Sequence, residues 1–239
     1  MPRLAFGGNK LLQIARPDDL AFLAARGDRR YFHRGDLLNR ADERSEIVYF
    51  VESGIASVVK RHGDRRTEIC LLGPEGFTGA AILLADGCSP YETFVQSEML
   101  VAFGIDAPSL HELIKASPAF HRLLLQSIHV RMVQVAENLA TAAWEPSTVR
   151  LARWLLMYHD RVGTPQLGVT HEFMAMMIGA QRTKVTAALH AIEAEGAISA
   201  VRGRVTVKDA TILERLADGT YGCAEAESKR LLSANPRRS

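Results

Sequence analysis

The stretch from Val169 to Val207 constrains the fold more than any other part of the sequence. Thr170 is a residue type favoured immediately before a helix, and apolar residues then recur at helical spacing as far as Ile178. Gly179 follows, and glycine readily takes the left-handed conformation that a sharp turn between two helices requires. The apolar periodicity resumes after this turn, so the stretch predicts two short helices joined by a tight turn.

A predicted β-hairpin completes this module. Residues from Ile198 to Val207 alternate between apolar and polar types around Arg202-Gly203, a pair suited to a tight hairpin turn. Two helices followed by a hairpin with arginines at its tip are typical of a winged helix-turn-helix, which binds double-stranded DNA through its second helix. The same order of elements also occurs in domains that never bind DNA, so the motif alone leaves both functions open.

The sequence between Arg29 and Ile105 has a different residue pattern, with short runs rich in β-branched and aromatic residues. Glycine-containing turn signals separate these runs, which is typical of an antiparallel sandwich or barrel. Short helices are expected before Arg26, so the predicted fold class is α+β with an N-terminal antiparallel β-roll of the jelly-roll type. The predicted strands are Arg29–His33, Ile47–Val51, Ala56–Lys60, Thr67–Leu72 and Thr93–Ile105.

A long helix is predicted from Ser117-Pro118 to Ala143, because apolar residues recur at three- and four-residue steps without glycine. Its length predicts a two-stranded coiled-coil seam between two copies of the chain, although the same stripe could instead pack on the chain's own β-roll. Glu145-Pro146 ends the helix. The predicted segments are a sensor β-roll at 1–116, a dimerisation helix at 117–145 and a winged helix-turn-helix domain at 146–239. The predicted seam residues are Leu124, Ile128, Arg131, Val135 and Leu139.

Composition excludes several classes of protein. The 239 residues carry a net charge of +2, and 47% of them are hydrophobic, as in an ordinary globular protein. No apolar run approaches the ~20 residues that span a membrane, and the N-terminus lacks the features of a signal peptide. Three distant cysteines, Cys70, Cys88 and Cys223, indicate neither a disulfide framework nor a metal cluster. The expected location is the cytoplasm, with no membrane partner.

The charge is unevenly distributed along the chain. Residues 1–146 contain 16 Lys and Arg against 18 Asp and Glu, whereas residues 147–239 contain 13 against 9. The positive part holds the helix-turn-helix, as a phosphate-binding surface requires. No nucleophile elbow, phosphate-binding loop, His-x-His pair or paired-carboxylate motif appears in the sequence, so an enzyme is not expected. No cofactor is expected either, beyond an unidentified small-molecule effector.

The order of β-roll, long helix and winged helix-turn-helix resembles the Crp/Fnr family of bacterial transcription regulators, and the match covers nearly the whole chain. Its most specific parts are the segments VRLARWLLMYHDRVG, VTHEFMAMMIGAQRTKVTAALHAIEAEGAI and ISAVRGRVTV, together with IVYFVESGIASVV in the β-roll. The resemblance implies a homodimer that binds a palindromic DNA site, with RNA polymerase as a further candidate partner. The alternative is a regulatory β-roll protein that acts through protein contacts or a small ligand, with weak DNA binding or none.

The resemblance assigns roles to residues of the winged helix-turn-helix. Arg182 falls where the family places a guanine-reading arginine, and a planar guanidinium suits O6 and N7 of guanine. Thr183 and Ala187 replace a glutamate and an arginine of the family pattern, so the family's best-known operator is not expected. The base-reading candidates are Gln181, Arg182, Thr183 and Thr186. The candidates for contacting the DNA backbone are Thr170, His171, Lys184, Arg202 and Arg204.

The predicted effector pocket departs from the cyclic-nucleotide cassette of the family. That cassette pairs a glutamate, which binds the ribose, with an arginine that neutralises the cyclic phosphate. Here the glutamate position is Ala80, the arginine position is Tyr91, and no arginine occurs between Thr67 and Arg122. A phosphate buried without a cation would be poorly compensated, so cyclic AMP is not expected to bind in the usual way. The candidate effector-pocket residues are Thr78, Gly79, Ala80, Tyr91, Glu92 and Thr93.

Overall fold

The chain divides by its internal contacts into two units. The computed structural model describes residues 7–63 and 65–233. The first unit contains residues 1–58, 72–132 and 225–239, and the second contains residues 59–71 and 133–224. The elements are those of an α+β protein, with a β-roll, a long helix and a C-terminal helix-turn-helix that carries a small sheet, which confirms the predicted fold class.

The N-terminal part begins with two short helices and continues with strands. Asn9 caps the first helix by accepting hydrogen bonds from the amides of Leu11 and Leu12 at 3.0 and 3.1 Å, and Pro17 opens the second. Two of the elements, β2 and α3, are additions to the predicted set. The elements are α1 (Lys10–Ile14), α2 (Pro17–Arg26), β1 (Asp28–His33), β2 (Leu37–Asn39), β3 (Ile47–Ser53), β4 (Ala56–His62), β5 (Arg65–Leu72), α3 (Ala80–Leu84), β6 (Glu92–Val95), β7 (Met99–Asp106) and α4 (Ala107–Ala116).

Two antiparallel sheets form the β-roll. One has the strand order β1-β7-β3 and the other has the order β2-β6-β4-β5. In the first sheet β7 pairs with both neighbours, which places Tyr31 opposite Val101 and Phe50 opposite Phe103. Large apolar side chains fill the inside of the first unit, and their burial is the main favourable contribution to its folding. This core includes Leu11, Leu23, Phe50, Phe77, Ile105, Leu110, Phe120 and Leu124.

The predicted single strand from Thr93 to Ile105 is wrong, because the structure divides it into β6 and β7. A polar turn at residues 96–98 separates the two strands. Ser97 Oγ accepts a hydrogen bond from the amide of Ile55 at 2.9 Å, and the carbonyl of Glu98 accepts one from the amide of Arg34 at 3.1 Å. The turn therefore supplies partners to backbone groups of other segments, which would otherwise be left unpaired.

A single long helix, α5 (Pro118–Trp144), follows α4 and has two distinct faces. One face carries Leu124 and Ile128 into the core of the first unit. The other face leaves Leu125, Met132 and Leu139 exposed over 41%, 65% and 71% of their surface. The long helix is therefore present as predicted, and its apolar residues form two stripes instead of one.

The first two residues of the predicted seam lie on a different face of the helix from the exposed residues. Leu124 and Ile128 are buried inside the protomer, so they cannot face a second copy as predicted. Arg131 and Val135 are half-buried, and Leu139 is exposed as the prediction requires. Consecutive helical residues point about 100° apart, so an error of one residue moves a stripe to a different face of the helix.

The second unit contains the predicted helix-turn-helix. Its small sheet has the strand order β8-β10-β9. The core of this unit holds the apolar side chains of its first helix, Leu151, Trp154, Leu155 and Tyr158. The elements after α5 are α6 (Ser147–Val162), β8 (Gln166–Leu167), α7 (His171–Ile178), α8 (Arg182–Ala194), β9 (Ile198–Val201), β10 (Arg204–Val207) and α9 (Ala210–Leu216).

Residues 59–71, the outer part of the β4–β5 hairpin, belong to this second unit. Trp154 Nε1 on α6 donates a hydrogen bond to Glu68 Oε1 at 3.0 Å. Asn138 Nδ2 on α5 donates to the carbonyl of Ile69 at 2.9 Å. Because the Trp154–Glu68 bond is buried, removing either partner would leave the other without compensation for its lost hydration.

A final helix, α10 (Cys223–Ser233), lies in the polar C-terminal tail. Leu232 packs against the core of the first unit. Glu227 accepts hydrogen bonds from Arg230 at 2.6 and 2.7 Å, and its Oε1 lies 3.1 Å from Nε2 of His129 on α5. The hydrogen-bonded Arg230 guanidinium is the main reason that the pKa of Glu227 falls to about 2. These contacts make α10 part of the β-roll unit.

Candidate nucleic-acid interface

The turn between α7 and α8 is built from backbone hydrogen bonds around a glycine. Thr170 caps α7, because its hydroxyl oxygen accepts from the amide of Phe173 at 3.2 Å. At the other end of α7, Gly179 has a φ of +61°, and the amide of Ala180 donates to the carbonyl of Ala175 at 2.9 Å. This arrangement satisfies a terminal carbonyl of α7 while the chain turns into α8. The left-handed conformation explains the glycine at this point.

Arg150 on α6 holds this turn in place. Its Nη2 donates to the carbonyl of Ile178 and lies 3.4 Å from the carbonyl of Gly179. A cation at this end of a helix also complements the negative end of the helix dipole. Burial lowers the pKa of Arg150 from its ordinary value. No local pattern in the sequence identifies this residue, because its partners lie 28 and 29 positions later.

The first turn of α8 presents polar side chains to the surface. Within residues 65–233, the side chains of Gln181, Arg182, Thr183 and Lys184 are exposed and make no hydrogen bond to the protein. Their polar groups therefore face solvent at the start of α8. The opposite face of α8 buries Val185, Ala188, Leu189 and Ile192.

Thr186 differs from the other base-reading candidates, because its hydroxyl is already bonded. Thr186 Oγ1 lies 3.1 Å from the carbonyl of Arg182 and 3.0 Å from Nδ1 of His171. His171 is the first residue of α7, so this contact holds its ring beside α8. The structure thus places His171, a candidate for contacting the DNA backbone, next to Thr186, a candidate for reading a base. The Thr186 hydroxyl has partners within the protein, and its role in reading a base stays a prediction.

The wing is the hairpin of β9 and β10, with Arg202 and Gly203 at its tip. Gly203 has a φ of +77°, as a tight hairpin turn requires. Arg202 and Arg204 are both exposed. Glu193 Oε1 on α8 accepts from the amide of Ala200 on β9 at 2.8 Å, which joins the end of α8 to the wing. The exposed arginines of the wing and the exposed start of α8 therefore belong to one folded module.

Three of the effector-pocket candidates pack on β3. The amide of Tyr49 donates to Thr78 Oγ1 at 3.2 Å. A Cβ atom on Gly79 would lie 3.3 Å from the carbonyl of Ile47, and Gly79 has a φ of +72°. Ala80 follows as the first residue of α3 and is half-buried. The tight packing at this position is a physical reason for Gly79.

The other three effector-pocket candidates lie at the start of β6, in the opposite sheet. Tyr91 is exposed, whereas Glu92 and Thr93 are buried, and Thr93 pairs with Asn39 of β2. A surface cleft of about 370 Å³ lies beside β2 and β3, and none of the six candidates lines it. The candidates therefore occupy two walls of the β-roll, and one wall carries a buried carboxyl group.

An arginine reaches the first of these walls from α5. Arg131 Nη2 donates to the carbonyl of Phe77, the residue before Thr78, and its guanidinium lies 5.4 Å from the centre of the Phe77 ring. The sequence has no arginine between Thr67 and Arg122, and only the fold brings this cation beside Phe77, next to Thr78 in the chain. The side chain of Arg131 thus faces the β-roll, contrary to its predicted place in a seam.

Two other kinds of feature are absent from the part of the chain that the structure describes. Within the described parts of the chain, no group of three or more His, Cys, Asp or Glu side chains is arranged to hold a metal ion. Among the same residues, no helix combines the length and the hydropathy that crossing a membrane requires.

Two family models match the chain at the places that this geometry indicates. A model of the Crp-like helix-turn-helix domain matches residues 149–216, and a model of the cyclic nucleotide-binding domain matches residues 29–117. The chain belongs to the Crp/Fnr family of transcription regulators. As a Crp/Fnr protein it is a DNA-binding regulator and not an enzyme. Its α7, α8 and wing are therefore the DNA-binding elements of the family.

Characterised relatives and solved structures agree with this family. The chain is 25% identical to the cyclic AMP receptor protein of Thermus thermophilus over 215 residues, which cover 89% of this chain and 98% of that protein. It is 26% identical to the CRP-like cAMP-activated global transcriptional regulator of Mycobacterium tuberculosis, covering 87% of this chain and 96% of the relative. A CRP-family transcriptional regulator of Thermus thermophilus has a similar fold, with a TM-score of 0.66, 23% identity and coverage of 80% and 97%. FixK2 from Bradyrhizobium japonicum has a TM-score of 0.69, 15% identity and coverage of 80% and 96%.

We expect the replacement of Arg150 by methionine to lower the free energy of unfolding by about 1–2 kcal/mol, because carbonyl groups at the end of α7 lose their donor. Urea denaturation measures this loss, and amide hydrogen exchange at residues 179–181 should become faster. Arg202→Met is the matched control, since Arg202 is exposed at the tip of the wing. Equal stability of the two variants would contradict the role of Arg150 in this Crp/Fnr protein.

Proposed function

We propose that this Crp/Fnr regulator acts as a homodimer that reads a palindromic operator, with one half-site for each helix-turn-helix. The observation that carries the proposal is the exposed face of α5. Leu125, Met132 and Leu139 lie seven residues apart on this face, and further exposed residues lie between them. Alternating steps of three and four residues form one stripe along a helix, which is typical of a two-stranded coiled coil. The complete stripe is Leu125, His129, Met132, Ala136, Leu139 and Ala143.

The opposite face of α5 supports this assignment of the seam. Leu124 and Ile128 already pack in the protomer's own core, so the exposed stripe is not needed for the fold of the β-roll. A line of large apolar side chains that stays in water is unfavourable, and covering it is the usual source of dimer stability. A two-fold axis would let the same stripe on two copies cover itself.

In this dimer, the exposed start of each α8 would enter the major groove. We propose that Arg182 reads a guanine and that Gln181 and Thr183 contact neighbouring bases. Lys184, Thr170 and the wing arginines would contact phosphates and set the register of the protein on the duplex. Two-fold symmetry then requires half-sites about 34 Å apart, which is one turn of DNA.

We further propose that the β-roll responds to a small effector and does not bind cyclic AMP in the manner of the family. Two relatives are named for cyclic AMP, so the similarity alone favours that ligand. This chain instead has Ala80 and Tyr91 at the positions of the cassette glutamate and arginine, and it buries the side chain of Glu92, the residue after Tyr91. A cyclic phosphate in this pocket would have to use Arg131, which is engaged with Phe77.

The place of action follows from the proposed function. A dimer that binds an operator would work in the cytoplasm and would act on RNA polymerase at that site. The predicted division of the chain at 116/117 and 145/146 fits this scheme, because it separates an effector-binding β-roll, a dimerisation helix and a DNA-binding domain.

Met132→Glu should raise the dissociation constant of the dimer by about 100-fold or more, because symmetry would bury two facing carboxylates in the seam. Analytical ultracentrifugation over a concentration series measures this change. Leu84→Glu is the matched control, since Leu84 is 60% exposed on α3 and lies off the stripe. A Met132→Glu variant that remains as dimeric as the control would rule out this seam.

Arg182→Ala should cost about 1–3 kcal/mol of binding free energy at one base pair of each half-site and relax the preference for that base. A selection from random DNA would identify the operator, and titrations with singly substituted operators would measure the loss at each position. Lys184→Ala is the comparison, and it should weaken binding to all sequences alike. If Arg182→Ala also weakens all sequences alike, Arg182 contacts a phosphate and not a base.

Cyclic AMP at millimolar concentration should give no saturable heat in isothermal titration calorimetry with the full chain, because the anionic phosphate meets no dedicated arginine in the cassette. The Thermus cyclic AMP receptor protein serves as the positive control. Native mass spectrometry of freshly purified protein would reveal a different effector that remains bound. Saturable binding that disappears in Arg131→Gln would contradict the proposal and assign the role of the missing arginine to Arg131.

A further inference from the structure

His171 and Thr186 form a hydrogen-bonded pair between the two helices of the helix-turn-helix. The ring nitrogen Nδ1 of His171 lies 3.0 Å from Thr186 Oγ1, and the two residues are 15 positions apart in the sequence. His171 is half-buried at the start of α7, and Thr186 is half-buried one turn into α8. Both residues border the exposed first turn of α8, which is the proposed DNA-contacting surface.

The direction of this hydrogen bond follows from a second contact of Thr186. Its Oγ1 lies 3.1 Å from the carbonyl of Arg182, one helical turn earlier. A carbonyl oxygen can only accept, and Thr186 has a single hydroxyl hydrogen. Both contacts can therefore be hydrogen bonds at the same time only when Thr186 donates to Arg182 and accepts from His171, in which case Nδ1 of His171 carries a proton.

This arrangement fixes the tautomer of the neutral ring. Neutral imidazole has one N–H group, and here Nδ1 holds it, so Nε2 of His171 carries a lone pair. A phosphate oxygen is also an acceptor, so the neutral ring cannot bind a phosphate through Nε2. The imidazolium form has N–H groups at both nitrogens. It can keep its bond to Thr186 and donate a charge-assisted hydrogen bond to a phosphate at the same time.

We propose that His171 binds a DNA phosphate only as the imidazolium, and that Thr186 is a positioning residue that enforces this requirement. DNA binding then takes up one proton at each helix-turn-helix. The inference rests on the proposed DNA interface and changes the role of Thr186 from reading a base to controlling the charge of the interface.

The charged surroundings of His171 are compatible with a phosphate at this position. Glu172 is its neighbour on α7, and Arg182, Lys184 and His190 are the charged or titratable side chains on the facing part of α8. Within residues 65–233, His171 makes no ion pair with any of them. The exposed cations Arg182 and Lys184 and the N-terminal end of α7 all favour an anion here.

The test measures the affinity of the full chain for a random-sequence 30-base-pair DNA at constant ionic strength between pH 8 and pH 6, by fluorescence anisotropy. Phosphate contacts do not depend on sequence, so this probe needs no known operator. We expect binding to be about tenfold or more tighter at pH 6, because binding that takes up protons strengthens as the proton concentration rises.

Variants separate this mechanism from a general effect of pH. In His171→Gln the side-chain amide can donate at every pH, so the pH dependence should largely disappear. Thr186→Val removes the hydroxyl that keeps the ring proton on Nδ1. Neutral His171 can then donate through Nε2, so the pH dependence should also become flatter. Thr186→Ser keeps the hydroxyl and should restore the wild-type behaviour. His190→Gln is the matched control, and it should retain the full pH dependence.

Nitrogen-15 NMR of the His171 ring in the free protein at pH 8 provides a readout without DNA. We expect the proton on Nδ1 in the wild type and a shift toward Nε2 in Thr186→Val. DNA binding that is equally tight at pH 6 and pH 8, or a pH dependence that survives in His171→Gln, would overturn this inference and leave the proposed function intact. Failure to bind DNA at every pH would overturn both.

Discussion

The structure depends on α5, because the different faces of this one helix of 27 residues have different surroundings. Its inner face supplies Leu124 and Ile128 to the core of the β-roll unit, and its later turns supply Asn138 to the hairpin at residues 59–71. The outer face, with Leu125, Met132 and Leu139, stays exposed in the protomer. Exposed apolar surface opposes folding and solubility, so this stripe is the physical basis of the proposed dimer.

The helix-turn-helix shows how a functional surface is fixed by residues that do not touch the partner. Arg150 holds the carbonyls at the end of α7, and Glu193 fastens α8 to the wing. These bonds cost little entropy on DNA binding, because they already exist in the free protein. The side chains at the start of α8 are then presented on a backbone that is already hydrogen-bonded, so the proposed contacts with DNA would not have to compensate for ordering it.

The sequence predicts the secondary-structure elements better than it predicts which distant residues contact one another. Local signals located the long helix, the turn at Gly179 and the hairpin at Gly203, because each depends on residues close together in the chain. The division at residues 96–98 escaped prediction, since its hydrogen bonds go to Arg34 and Ile55 in distant segments. The seam was misplaced for the same reason: two apolar stripes share α5, and only tertiary packing decides that Leu124 faces inward and Leu125 outward. The roles of Arg131, Arg150 and Thr186 also depend on partners brought close by the fold.

The chemistry left on the surface of α8 limits how this protein can distinguish DNA sequences. Thr186 is engaged with His171 and Arg182, and Ala187 carries no group that can read a base. Among the exposed residues of the first turn, only the Arg182 guanidinium has the forked geometry that recognises guanine with two hydrogen bonds. With Gln181 and Thr183 as the other proposed base contacts, discrimination beyond these positions would have to come from the shape and deformability of the duplex. Sequence preference should then extend to base pairs that the protein does not touch, because bending them changes the energy of the contacts with phosphates on either side.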